Sequence, residues 1–192
     1  MIKLWYPVKD TAHSVQGVAI VRALLDHGAY VDYKTQEGFD MISYALDAQY
    51  DGPQLLRLLL QHPGNVAHRA EKGEVSLLDR RNPFTGRTPL RSAAGWGVPE
   101  EVDLLIGAGA KVDLADAVGQ TALMDAAMQG RIENVACLLK HHANVGLKDI
   151  RGHTALFMAH TNRADHAQTE YTQELTKDVW PDIVKMLEQA RY

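Results

Sequence analysis

Nine histidines and one cysteine are the side chains of this 192-residue sequence best suited to holding a metal or attacking a carbonyl, and their spacing favours neither. No His-Glu-x-x-His and no Cys-x-x-Cys occurs, so the two short patterns that place zinc donors on one helix face or one turn are missing. His141 and His142 fall where a helix is predicted to end, and imidazoles there meet free carbonyls and the negative end of the helix dipole. Capping is the expected role of that pair. His160 and His166 flank a polar stretch, 162–181, with no cysteine nearby, so a zinc site there needs donors from elsewhere. The alternative to a simple binding protein is a metal-dependent enzyme. It would have to bring His62, His68, His160 and His166 together with Asp79 or Asp165. Cys137 stands beside Leu138 on the apolar side of a predicted helix and reads as a buried, inert thiol, since a nucleophile needs a depressed pKa and some exposure. Asp47, Asp125 and Asp165 lie on or near predicted helices, with no partner at a spacing that marks an acid and a base. No Gly-x-Ser-x-Gly, phosphate loop or dinucleotide fingerprint is present. The expectation is a protein without catalytic, metal or cofactor residues.

Bulk properties agree. At 46% hydrophobic and 23% charged, the chain has the composition of a globular domain with a substantial core. A net charge of −4 with no basic face gives no nucleic-acid signature and only a weak bias toward neutral or basic partners. One cysteine excludes an intrachain disulfide and is compatible with a reducing compartment. No apolar run approaches the roughly 20 residues that span a bilayer. MIKLWYPVKDTAHS lacks the apolar core of an export signal, so a cytoplasmic protein, monomeric when free, is expected.

The elements that position these residues follow from a repeat. Gly86-Arg-Thr-Pro-Leu, Gly119-Gln-Thr-Ala-Leu and Gly152-His-Thr-Ala-Leu recur at a spacing of 33 residues. The second halves recur with them: Val102, Leu105, Ile106, Gly109 and Ala110 against Val135, Leu138, Leu139, His142 and Ala143. Gly38-Phe-Asp-Met-Ile-Ser-Tyr-Ala repeats the opening further upstream. Before it only a second half remains, in Val21, Leu24, Leu25, Gly28 and Ala29. Thr88-Pro89 and Thr121-Ala122 read as helix starts, the threonine hydroxyl accepting from orphan amides and proline suiting the first turn. Ala93-Ala94 and Ala126-Ala127 imply a short inner helix with room for a close neighbour. Gly97 and Gly130 can end it. Val135, Leu138 and Leu139 have the period of a second, amphipathic helix, which should stop at Gly28, Gly109 and His142. One hairpin cannot bury its apolar face alone, whereas a stack makes the core continuous.

These motifs make the chain resemble the ankyrin repeat family, most clearly in GRTPLRSAAGWGVPEEVDLLIGAGAKVD, Gly86 to Asp113. The resemblance implies an all-α solenoid of stacked helix-turn-helix units with projecting fingers. The units are expected near 5–37, 38–85, 86–118, 119–151 and 152–192, forming one domain over residues 1–192. Two insertions depart from the pattern: 63–85, expected as a lengthened finger or surface loop, and 162–181, after which Val184 and Leu187 take the second-helix positions. Terminal units of a solenoid must present a polar end to water, so Trp5-Tyr6-Pro7 is expected in an N-terminal cap.

The resemblance further implies a non-enzymatic protein-binding module whose concave face combines the fingers with the ends of the inner helices. By position those are Phe39, Phe84, Arg87, Gln120, Arg151 and His153, with Tyr50, Trp96, Met128, Gln129 and Asn162. Trp96 stands out because a variable polar residue usually occupies its slot, and an exposed tryptophan is a typical anchor. Tyr33 is a weaker candidate. The expected partner is a protein, held at the concave face and long loop. With almost the whole chain taken up by repeats, the expectation is action by occupation, as an inhibitor or scaffold. At the level of organisation the chain is similar to immunity proteins that neutralise a cognate toxin.

Overall fold

The computed structural model describes residues 15–27, 41–47, 52–61, 76–83, 85–166 and 179–190. Among them run α1 (Val15–Asp26), α2 (Met41–Asp47), α3 (Gly52–Gln61), α4 (Pro89–Trp96), α5 (Pro99–Gly107), α6 (Ala122–Met128), α7 (Ile132–Lys140), α8 (Ala155–His166) and α9 (Trp180–Gln189). The 33-residue period appears as two layers. The helices α2, α4, α6 and α8 pack side by side as an inner row, and α1, α3, α5, α7 and α9 form an outer row behind them.

The threonines of the repeat act as anticipated. Thr88 Oγ1 accepts from the amide of Arg91 at 3.3 Å, with Pro89 in the first turn, and Thr121 Oγ1 accepts from the amide of Met124 at 3.4 Å. Ala93, Ala94, Ala126 and Ala127 are buried, and their small side chains let α4 and α6 approach closely. Behind them Val102, Leu105, Val135 and Leu138 are fully buried, each such side chain contributing about 1.5–3 kcal/mol of transfer free energy. The outer helices stop at Gly109 (φ +100°) and His142 (φ +60°), which take the left-handed conformation at matching positions of successive units.

Neighbouring units are tied by polar groups as well as by the core. Asn134, buried on α7, donates through Nδ2 to the carbonyls of Ala93, Ala94 and Gly97 at 3.2, 2.9 and 3.1 Å, satisfying the end of α4 from the next unit. The fingers at 116–120 and 149–153 each turn on an aspartate. Asp116 Oδ1 accepts from Val118 and Gln120 at 2.9 and 2.8 Å, and Asp149 Oδ1 accepts from Arg151 and His153 at 2.9 and 2.8 Å. The two fingers join where the Ile150 amide donates to the Val118 carbonyl at 3.0 Å.

The described end of 63–85 is an exposed turn at Asn82, but its base is not at the surface, for Leu77 and Leu78 are buried in the core and Asp79 Oδ1 accepts from the Lys111 amide at 3.1 Å. The extra residues thus hide an apolar pair that joins the common core. The stretch 162–181 begins inside α8, which continues to His166, and ends on Trp180, whose ring packs over the turn at Gly130. In α9, Ile183 and Leu187 are the buried pair, while Val184 is half-buried. Trp5-Tyr6-Pro7 lies outside the described residues.

Candidate functional site

Among the described residues of the inner row and its fingers, Trp96 is the largest exposed apolar side chain. It closes α4 and keeps 56% of its surface accessible. The guanidinium of Arg87, on the adjoining finger, lies 5.6 Å from the centre of the indole ring, within reach of a cation–π contact. Arg87 Nε is in turn 3.7 Å from Asp125 Oδ2 on α6.

Behind this pair lies a buried polar network. Arg91 is 2% exposed, and its Nε donates to Asp125 Oδ2 at 2.9 Å, Nη1 to Asp116 Oδ2 at 2.5 Å and Nη2 to Gln120 Oε1 at 3.0 Å. One guanidinium therefore joins an inner helix, the following finger and the next inner helix. Burial alone would push the Asp116 carboxyl up, but the Gln120 amide, Arg91 and the Val118 amide outweigh it and hold the group below its ordinary value.

The other expected contact residues distribute as follows. Gln129 caps the end of α6 and its Cγ packs near Gly95, beside Trp96. Met128 is half-buried and packs against the core. Gln120 is half-buried and engaged by Arg91. His153 stacks on Phe157 with ring centres 4.0 Å apart and planes 7° from parallel, and its Nδ1 lies 3.3 Å from Asp149 Oδ2. Arg151 is exposed on the same finger. Phe39, Tyr33, Tyr50 and Phe84 lie outside the described residues, as does the side chain of Asn162. So Arg87 meets Trp96, Gln129 packs at the preceding residue, Gly95, and His153 belongs to a second aromatic group along the row.

A different cluster sits in the outer row. Asp103 of α5, Cys137 of α7 and His141 at the C-cap of α7 bring a carboxylate oxygen, a sulfur and an imidazole nitrogen within 4.8 Å of one another. Cys137 Sγ donates to Asp103 Oδ1 at 3.3 Å, and His141 Nε2 donates to the same oxygen at 2.6 Å. The ring of His141 thus turns to a neighbouring unit rather than to helix carbonyls, while its backbone amide does close α7 on the Cys137 and Leu138 carbonyls. Burial, then Asp103, pushes the Cys137 thiol up to about 11. His160 is exposed on α8, Asp79 is taken by Lys111, and His62, His68 and the side chains of Asp165 and His166 lie outside the described residues.

The model of the ankyrin repeats (3 copies) matches residues 48–149 and 92–169, well over half of the chain. The chain belongs to the ankyrin repeat family. No curated protein matches it. Ankyrin repeats generally serve protein–protein interaction and are typically non-enzymatic. Among the described residues, no ankyrin helix is long and apolar enough to cross a membrane.

Sequence reasoning missed Arg91, Phe157, the finger residues Val118 and Ile150, and Asp103. Val118 and Ile150 are exposed apolar side chains on fingers that here adjoin. The signal for Asp116 and Asp149 was present, since the two stand 33 residues apart at the same place in the ankyrin unit. Arg91 carried none, because its partners lie 25 to 34 residues onward.

Proposed function

We propose that the protein is a non-enzymatic binder whose concave ankyrin face, centred on Trp96, holds a protein partner and inhibits it by occupation. The observation that carries this reading is the large exposure of Trp96 together with its bracing by Arg87, itself next to the buried Asp125–Arg91 pair. A large ring fixed in advance loses little freedom on binding, which is why tryptophan and arginine dominate interface anchors. The partner is to be sought among basic proteins, because the net charge of −4 favours their approach. An immunity protein held against a cognate toxin would have this organisation: a short stack of repeats acting by covering a working surface.

Affinity capture from the native lysate tests the reading, with wild type beside a Trp96→Ala, Gln129→Ala double variant and a Glu133→Lys control on the outer helix α7. The expected result is one partner held by wild type and the control and weakened ~30-fold or more by the double variant, the scale of a central anchor. Equal capture by all three would move binding off this face. Loss of the partner's activity on adding wild type would establish inhibition.

A further inference from the structure

We propose that Asp103, Cys137 and His141 form a binding site for a thiophilic divalent cation, zinc being the ion that this donor set fits. Cys137 on α7 and His141 at its C-cap stand four residues apart, so both side chains rise on one side of the helix end. Asp103 reaches them from α5 in the preceding unit, so that an ion would bind two repeats together. The three donor atoms already lie within 4.8 Å of one another. A tetrahedral zinc ion, with bonds of about 2.0–2.3 Å, needs its donors roughly 3.3–3.8 Å apart. The sulfur–oxygen separation of 3.3 Å fits, and the nitrogen–oxygen separation of 2.6 Å must open by ~1 Å, on the scale set by those bond lengths.

That adjustment falls on the most adaptable member. Asp103 is half-exposed, whereas Cys137 is 8% exposed and the position of His141 is fixed by its amide at the end of α7. Charge balances as well: one thiolate and one carboxylate offset a divalent ion, with imidazole neutral. Binding replaces the thiol proton by the metal, the sulfur–hydrogen bond giving way to a sulfur–metal bond and the proton leaving to solvent. Because that proton is released, binding strengthens as pH rises. Lys140 is the neighbouring positive charge, and it is exposed and can turn to water. With three protein donors, the fourth position is left to water or to a group brought by another molecule.

The chain has one cysteine, which makes the test unambiguous. Full-length protein, stripped with chelator, is titrated with Co²⁺ and read by absorption, then with Zn²⁺ against a chromophoric chelator. The expected result is one equivalent of cobalt giving the visible bands of a four-coordinate ion and a thiolate-to-cobalt charge-transfer band, which only Cys137 can supply. Loading the stripped protein with cobalt should release about one proton, and zinc should then displace the cobalt with no further release. Cys137→Ser should abolish the charge-transfer band, and His141→Ala and Asp103→Asn should each weaken zinc binding at least tenfold, with circular dichroism verifying the fold. The absence of a charge-transfer band in wild type at saturating cobalt overturns the proposal whether or not the variants fold. So does zinc affinity unchanged in Cys137→Ser.

Discussion

Arg87 holds its guanidinium 5.6 Å from the ring centre of Trp96 while its Nε stays 3.7 Å from the buried carboxylate of Asp125. The exposed ring is therefore linked, through one side chain, to the most buried ion pair of the inner row. Because Trp96 lies mostly outside the core, Trp96→Ala is expected to lower the unfolding free energy by no more than about 1 kcal/mol. A double-mutant cycle with Arg87→Ala, followed by urea unfolding, should give a coupling of about 0.5–1 kcal/mol. A loss above about 3 kcal/mol for Trp96→Ala, the range of a buried aromatic, would make the ring a packing element instead of an anchor.

The Arg91–Asp125 pair should behave in the opposite way. Both side chains are buried, so removing one leaves a charge without its partner in the interior. Arg91→Ala and Asp125→Ala are each expected to cost about 3–5 kcal/mol, and an apolar pair, Arg91→Met with Asp125→Leu, should recover a large part of that. Urea denaturation of the three variants decides it. Additive losses in the apolar pair would mean that Asp116 and Gln120, left facing the new methionine, carry most of the effect.

These two residues also show what the sequence made legible. The helices, their threonine starts and their stops were readable because the repeat imposes the same local chemistry at 33-residue intervals. Trp96 was readable because its slot is defined by the alanines before it. Arg91 was not, since a charged residue in a row of small ones reads as solvent-facing until its acceptors on the next finger and helix are in place. Leu77 and Leu78 were hidden by an insertion that removes them from register. Cys137 was rightly placed on a buried face, but Asp103 and the turn of the His141 ring depend on how two outer helices stack, which no within-unit pattern encodes.

Acid should weaken the fingers before it affects the apolar core. At Asp149 burial raises the carboxyl, yet the amides of His153 and Arg151 and the His153 ring hold it below its ordinary value. The unfolded chain then takes up this proton at higher pH than the folded one. The stabilisation is fully present above the unfolded value of about 4 and is lost as pH falls through the depressed folded value. In Asp149→Asn the amide oxygen can still accept from both backbone amides, so the turn survives while the titration disappears. Melting temperatures followed from pH 6 down to about 3 should therefore fall less steeply in the variant. Parallel curves would assign the acid sensitivity to other carboxylates, Asp116 first among them.

His142 offers a stabilising change. It has φ +60° at the end of α7, where the preceding unit has Gly109 at φ +100°. A side chain in the left-handed region costs about 1–2 kcal/mol, which glycine avoids. Glycine also makes the unfolded chain freer, and that offsets part of the gain. His142→Gly is thus expected to raise the unfolding free energy by about 0.5–1 kcal/mol, read as a higher urea midpoint with an unchanged slope. The reciprocal Gly109→His should lower it by a similar or larger amount, since the backbone there is further from the favoured left-handed geometry. Because the imidazole of His142 is exposed and the closing amide of His141 is untouched, the substitution leaves α7 and its contact with Asp103 in place. A lower midpoint for His142→Gly would show instead that the ring itself secures the turn, more strongly than the backbone strain opposes it.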